Sequence, residues 1–272
     1  MKEAHHAEGE LAGQVAVVTG STQGIGAGIA QILAEHGARV MLHGLERDVG
    51  EKTAKALRAS GHHVQLEIGD LKSQEECRRL IQTTFEHFGS VDILVNNAAV
   101  VHRSRIETTS VSLWDEIFAT NVRAPFILCQ EAVKLMKGRK ISPAEGRASQ
   151  GCIINIGSVN AYVGQTKLLA YSASKGALMT FTKNLSNYLT RYRIRVNQIN
   201  PGWVLTEGED YVEAVAEAKG SRWLEDALKT RPFGRMLLPG DIARAALFFA
   251  TNDLITGAVL DYEQVTIGAL QD

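Results

Sequence analysis

The stretch Val15-Ala-Val-Val-Thr-Gly20-Ser-Thr-Gln-Gly24-Ile-Gly26 joins an apolar run to a glycine-rich turn, and apolar residues then recur at helical spacing as far as Leu33. Glycines let a backbone turn sharply and approach a phosphate closely, and free N–H groups at a helix start stabilise the phosphate charge. A strand, a turn and a helix in this order predict a nucleotide-binding unit, although such a turn can also be purely structural.

The same alternation of apolar strands and helical segments continues along the chain. Further strands are predicted at 39–43, 63–68, 91–95, 152–156 and 195–199, separated by helices at 46–60, 73–88, 111–136 and 168–189. Strands separated by helices of this length indicate parallel crossovers, and nearly continuous apolar strands indicate a sheet covered on both faces. We therefore predict an α/β fold, with a single Rossmann-like, doubly wound parallel sheet of about seven strands.

This pattern also predicts the domain organisation. Residues 1–12 form a polar extension, 13–268 form one domain and 269–272 form a tail. Within the domain, 137–150 is expected to be a surface loop. The mostly helical segment 206–235 is expected to cover the substrate as a small cap.

Composition excludes several classes of protein. With 272 residues, 45% hydrophobic and 22% charged, and with 25 glycines but 5 prolines, the chain is neither collagen-like nor disordered. A net charge of −1 gives no electrostatic reason to bind nucleic acid or an anionic membrane, so a small molecule is the expected partner. Three cysteines without C-x-x-C spacing suggest reduced thiols, and the absence of a targeting pattern suggests a cytoplasmic location. Adjacent histidines such as His62 and His63 point away from each other, so no metal site is expected.

Polar residues follow the third and fourth predicted strands, at the sheet edge where ligands bind. Asp70 has the chemistry to accept a hydrogen bond from an adenine amino group, and Asn97 to pin backbone beside an adenosine ribose. Each also has a structural alternative, a helix cap for Asp70 and an Asx turn for Asn97.

Tyr171 and Lys175 lie four residues apart on a predicted helix and therefore share one face. A free phenol has a pKa of about 10, but a nearby ammonium favours the phenolate, so Lys175 is expected to lower the pKa of Tyr171. Ser158 ends the preceding strand and is placed to hold a substrate oxygen beside the phenol. The alternatives are a surface contact between Tyr171 and Lys175 and a turn serine at 158.

These motifs together resemble the short-chain dehydrogenase/reductase superfamily from about Gly13 to Gly268. The matching elements are Thr19-Gly-x-x-x-Gly-x-Gly26, Asn96-Asn-Ala98, Asn121, Ser158, Tyr171-x-x-x-Lys175 and Asn200-Pro-Gly202. The resemblance implies a catalytic tetrad of Asn121, Ser158, Tyr171 and Lys175, with Tyr171 as the acid-base group. In it, Lys175 also holds the nicotinamide ribose, and Asn121 interrupts a helix to hold a water in a proton relay. It further implies a homotetramer that oxidises or reduces a secondary alcohol or ketone with NAD or NADP.

The turn and the resemblance together give the expected dinucleotide contacts. These are Gly20, Ser21, Thr22, Gln23, Gly24, Ile25, Gly26, Gly44, Leu45, Asp70, Leu71, Asn97, Ala98, Tyr171, Lys175, Pro201, Gly202, Val204 and Thr206. Relatives that use NAD commonly carry an aspartate where this chain has Gly44, and relatives that use NADP often carry a cation near Gln23 or Leu45. His43-Gly-Leu45 resembles the hydroxybutyrate dehydrogenase branch, which favours NAD; His43 and Arg47 are nearby candidates to bind a 2′-phosphate.

The sequence indicates the substrate class less directly than the cofactor. That branch binds a carboxylate with polar residues where this chain has Val101 and Leu168, so a small keto acid is disfavoured. His102, Asn160, Gln165 and Trp203 are candidates to contact a sugar or polyol. A 3-oxoacyl thioester is an alternative substrate. A different kind of function is also open, in which the protein senses a dinucleotide and catalyses no reaction. The spacing of Gly20, Gly24 and Gly26 argues against the extended epimerases. The ending Leu260-Asp-Tyr-Glu-Gln264 departs from the Val-Asp-Gly-Gly turn of relatives.

Overall fold

A computed structural model describes residues 9–138, 148–211, 213–214 and 220–268, without the side chains of 211 and 221. Most of the predicted loop at 137–150, part of the cap, the tail and the first eight residues lie outside the described residues. Within the predicted extension, Leu11 is fully buried and its N–H donates to the carbonyl of His36 at 2.9 Å. Among the described residues, no helix combines the length and the apolar character that a membrane span requires.

The central element is a seven-stranded parallel sheet, which confirms the predicted fold class. Its strands are β1 (Val15–Val18), β2 (Arg39–Gly44), β3 (Val64–Ile68), β4 (Ile93–Asn96), β5 (Gly151–Ile156), β6 (Ile194–Pro201) and β7 (Val259–Tyr262). They lie in the order β3-β2-β1-β4-β5-β6-β7. The order reverses between β1 and β4, where an open α/β sheet forms its ligand crevice.

Helices cover both faces of the sheet, as its continuously buried strands require. They are α1 (Gly24–Glu35), α2 (Arg47–Ala59), α3 (Gln74–Phe88), α4 (Val111–Phe118), α5 (Ala124–Gly138), α6 (Leu169–Leu189), α7 (Glu207–Tyr211), α8 (Trp223–Lys229) and α9 (Pro239–Thr251). One apolar core lies between the sheet and α1, α2 and α9, and a second between the sheet and α3, α5 and α6. A third, small cluster around Trp223 and Met236 lies within the cap.

The prediction of one uninterrupted helix from Val111 to Met136 is wrong. A π-helical turn at Ala119–Arg123 separates α4 from α5 and places an extra residue in the helix, which re-aims the side chains that follow. Periodicity could not reveal this turn because apolar residues continue on both sides of it.

Candidate active site

The glycine turn after β1 needs its glycines for two different reasons. Gly20 and Gly24 have φ angles of +60° and +57°, a conformation that side chains disfavour. Gly26 instead lacks space, because a Cβ there would overlap the carbonyl of Gly20 and lie 2.5 Å from Asn97 Nδ2. The turn is therefore a bare backbone cradle at the start of α1, which suits a phosphate.

Asn97 fastens this turn to the end of β4. Its amide nitrogen donates to the carbonyls of Thr19 and Gly20, both at 2.9 Å. Its backbone N–H donates to Thr19 Oγ1 at 2.9 Å. The side chain thus holds the glycine turn, whereas an Asx turn would hold its own segment.

His43, at the end of β2, closes the same turn from the other side. Its Nδ1 accepts from the Gly20 N–H at 3.3 Å and its Nε2 faces the Gly69 carbonyl at 3.0 Å. Accepting on Nδ1 and donating from Nε2 fixes a neutral tautomer. Burial lowers the pKa of His43 to about 4, so the ring is uncharged at neutral pH.

A cavity of about 440 Å³ opens beside these residues, at the carboxyl ends of β1, β2 and β4. The expected dinucleotide contacts that line it are Gly20, Thr22, Gln23, Gly24, Ile25, Gly26, Gly44, Leu45, Asp70, Leu71, Asn97, Ala98 and Thr206. Ser21 lies beneath the cavity, where its hydroxyl donates to Val18 and accepts from the His43 N–H. Asp70 does not cap α3, because Ser73 does so by accepting from Glu76 N–H. The residues present therefore fit a dinucleotide.

The structure brings three members of the expected tetrad together next to this crevice. Lys175 is buried, donates to the Ile156 carbonyl at 2.8 Å and lies 5.5 Å from the centre of the Tyr171 ring. Ser158 hydrogen-bonds the Tyr171 side chain and accepts from Asn160 N–H at 3.2 Å and from Asn160 Nδ2 at 3.3 Å. A proton donor, its hydroxyl partner and an ammonium thus share one site.

Lys175 does not lower the pKa of Tyr171 below its ordinary value in the protein without ligand. Burial raises the pKa of Tyr171 to about 12, the Ser158 hydrogen bond lowers it and the negative charge of Glu209 raises it. Burial also lowers the pKa of Lys175 to about 8, so Lys175 is mostly charged at neutral pH and loses its charge above about pH 8. The expectation was wrong for the protein without ligand because it omitted desolvation, the largest contribution for both groups.

Asn121, the fourth expected member, lies within the π-helical turn. Its amide oxygen accepts from the Val100 N–H at 2.8 Å, and its nitrogen donates to the Val100 carbonyl and to Ser174 Oγ, each at 3.0 Å. The side chain therefore ties the segment after β4 to α6, one residue before Lys175.

A buried chain of amides positions Ser158 from below. Gln198 bridges Thr182 Oγ1 on α6, at 2.8 Å, and Asn200 Oδ1, at 2.7 Å. Asn200 Oδ1 accepts from the Ser158 N–H at 3.2 Å, and Asn200 Nδ2 donates to Asp261 at 2.9 Å. The sequence suggested no role for Gln198, which is fully buried.

The substrate candidates divide into two groups. Asn160 contacts Ser158, and Trp203 lies at the base of the cap, 6.0 Å from the Trp223 ring. His102 and Gln165 are exposed. Of the expected cofactor contacts outside the cavity lining, Pro201 ends β6, Gly202 donates its N–H to Tyr262, and Val204 is buried and bridged to Leu237.

Two carboxylates beside Trp203 were missed by sequence reasoning. Glu209 accepts from Trp203 Nε1 at 2.7 Å. Glu263 is buried against Gly202, accepts from the Trp203 N–H at 3.2 Å and pairs with Arg231 at 3.5 Å. For Glu263, the sequence offered only the unusual segment Leu260-Asp-Tyr-Glu-Gln264. For Glu209 it offered no indication, because an acidic stretch in a short helix is ordinary.

Comparisons with known proteins agree with this geometry. The family model for short chain dehydrogenases matches residues 14–216. A 3-oxoacyl-[acyl-carrier-protein] reductase of Chlamydia muridarum is 31% identical in sequence, over 93% of this chain and 97% of the length of that reductase. An NADP-dependent (R)-specific alcohol dehydrogenase of Lentilactobacillus kefiri is 33% identical, covering 91% and 94%. The crystal structure of a dehydrogenase/reductase from Sinorhizobium meliloti superposes with a TM-score of 0.80 at 33% identity, covering 93% and 94%.

Proposed function

Because the chain belongs to the short-chain dehydrogenase family, we propose that it transfers a hydride between a nicotinamide dinucleotide and a secondary alcohol or ketone. The observation that carries the proposal is that Ser158, Tyr171 and Lys175 lie together beside a glycine-walled cavity, with Ser158 and Lys175 buried. In this proposal Tyr171 is the proton donor and acceptor, and Ser158 orients the substrate oxygen.

The dinucleotide supplies or accepts the hydride when it is bound. The glycine turn would hold the pyrophosphate of the dinucleotide. Asp70 and Asn97 would contact its adenosine half, and Lys175 and Thr206 would contact its nicotinamide half. In the oxidative direction, Tyr171 takes the hydroxyl proton of the substrate as the C–H hydride leaves. In the reductive direction, its phenol returns that proton to the carbonyl oxygen. Because burial raises the pKa of the phenol, a positive charge is needed to favour the phenolate, and Lys175 provides one when protonated.

We infer NAD as the preferred cofactor. The cavity wall at the end of β2 includes Gly44, Leu45 and Glu46, and the neutral His43 offers no charge to a 2′-phosphate. Lys72, also in the wall, lies 3.4 Å from Asp70 and 3.1 Å from Glu116, so its charge is shared with two carboxylates. Comparison of kcat/KM with NADH and with NADPH tests this inference, and a strong preference for NADPH would overturn it.

Two substrate classes remain in the proposal. A sugar or polyol is supported by Asn160 and Trp203 beside the catalytic group. A 3-oxoacyl thioester is supported by the name of the Chlamydia relative. A dinucleotide sensor without turnover is less well supported, because the chain keeps both Tyr171 and Lys175.

A homotetramer in the cytoplasm completes the proposal. Apolar side chains that are about half exposed on α5, α6 and α9 support association; they are Phe126, Tyr188 and Phe248. Light scattering coupled to size exclusion tests the tetramer, and a monomer at micromolar concentration would contradict it.

A screen of alcohols and ketones, read by the absorbance of the reduced nicotinamide, tests the proposed reaction. It should include polyols, ketoses, simple secondary alcohols and a 3-oxoacyl thioester, each with NAD(H) and NADP(H). We expect turnover with at least one class of alcohol or ketone. Dinucleotide binding without turnover of any of them would favour the sensor.

A further inference from the structure

Glu209 is fixed between the two segments that flank the catalytic tyrosine. On one side it accepts from Trp203 Nε1 at 2.7 Å, and its backbone N–H donates to Thr206 Oγ1 at 3.1 Å. On the other side it lies 3.6 Å from Arg103, whose neighbour Ser104 pairs with Leu168 just before α6. Tyr171 lies in the first turn of α6. These tethers place the Glu209 carboxylate between the chain after β6 and the segment that pairs with the start of α6.

The carboxylate is accessible to a substrate and acts on the catalytic phenol. Its side chain is 27% exposed, so a ligand can reach it. Its negative charge is close enough to raise the pKa of Tyr171. A charge that acts on the phenol also repels a negative group that the substrate places nearby.

Neighbouring positive charges do not reverse the sign at this position, where burial raises the pKa of Glu209 itself. Arg103 is shared between Glu209 and Glu213, and Glu213 is almost completely buried. Arg231, on the other side of Trp203, is paired with the buried Glu263. Each of these two guanidinium groups is thus already paired with a carboxylate.

We propose that Glu209 is a specificity-determining residue that excludes substrates with a carboxylate near the reacting carbon and so selects uncharged alcohols and ketones. This inference rests on the proposed oxidoreductase function and adds to it a residue and a substrate class. It requires no conformational change, since the tethers to Trp203, Thr206 and Arg103 already hold the side chain in place.

The test compares carboxylates with their esters, which share a skeleton and differ in charge. Suitable pairs are levulinate with methyl levulinate and acetoacetate with ethyl acetoacetate. Glu209→Gln keeps the size of the side chain and removes its charge. Glu225→Gln on α8 is the matched control, because Glu225 is exposed in the same cap and pairs only weakly with Lys229 at 3.6 Å.

We expect Glu209→Gln to raise kcat/KM for each carboxylate relative to its ester by about tenfold, a change of about 1.4 kcal/mol in transition-state binding. Glu225→Gln should leave this ratio unchanged. Taking the ratio removes the intrinsic reactivities of the ketones and any general loss of active protein. If the esters are not turned over, inhibition of an accepted substrate by the same pairs gives the same comparison.

Two results would overturn the inference: a change of less than twofold in the ratio for Glu209→Gln, or an equal change for Glu225→Gln. Failure of the proposed function looks different. In that case the wild-type protein binds dinucleotide but turns over no alcohol or ketone in the screen, whatever the charge of the substrate.

Discussion

His43 makes the stability of this protein depend on pH below the ordinary pKa of a histidine. The ring is buried, accepts from Gly20 N–H and donates to the Gly69 carbonyl. A proton on Nδ1 would face that N–H, so protonation and the glycine turn exclude each other. Lowering the pH should therefore destabilise the protein through a residue of the proposed cofactor site.

The magnitude follows from the difference in pKa between the two states. The pKa falls from 6.5 in the unfolded chain to about 4 in the folded one. Because the folded value is the lower, stability is complete above the unfolded pKa and is lost as the pH falls towards the folded pKa. The full difference is worth about 3 kcal/mol, and about 2 kcal/mol of it is lost at roughly pH 5.

Urea unfolding of the wild type and of His43→Gln, at neutral pH and at about pH 5, measures this loss. The variant lacks the titrating group, so its free energy of unfolding should change with pH by about 2 kcal/mol less than that of the wild type. His63→Gln, at an exposed position, is the control and should follow the wild type. An equal loss of stability in the wild type and in His43→Gln would refute the reasoning.

Two further predictions concern stability. In Gly26→Ala the new methyl would overlap the Gly20 carbonyl, so we expect a loss of about 2 kcal/mol and at least about tenfold weaker dinucleotide binding by calorimetry. Gly240→Ala, in α9 with open space around it, should instead gain about 0.5–1 kcal/mol, and equal effects would contradict this account. Asp241 has a pKa lowered to about 2, chiefly by Arg235, so Asp241→Asn should cost about 1–2 kcal/mol at neutral pH. In urea titrations this cost should fade as the pH drops towards the folded pKa, and a cost that does not vary with pH would point to packing instead.

The sheet, its helices and the glycine turn could be predicted because each has a local signature. Apolar strands that are buried on both faces and helices with a regular period predict the succession of β1 to β6 along the chain, although not their spatial order in the sheet. The Tyr171 and Lys175 pair was also visible, because its four-residue spacing sets a common helix face.

What could not be predicted depends on contacts between distant segments. The neutral state of His43 follows from burial beneath Gly20 and Gly69, and the amide chain through Gln198 needs three elements in register. Desolvation of Tyr171 is likewise invisible in a sequence, which shows its neighbours along the chain and not how deeply they are buried. Glu209 acquires its place only when α7 packs against Trp203 and Arg103, which are distant from each other in the sequence.

Substitution of the catalytic tyrosine tests the central proposal most directly. Tyr171→Phe removes one hydroxyl and leaves the glycine turn and its cavity intact, so calorimetry should give a dinucleotide affinity within about twofold of the wild type. With a substrate that the wild type accepts, the absorbance change of the nicotinamide should fall by at least about a thousandfold, because the proton has lost its carrier. Turnover by Tyr171→Phe at a rate close to that of the wild type would contradict the proposal.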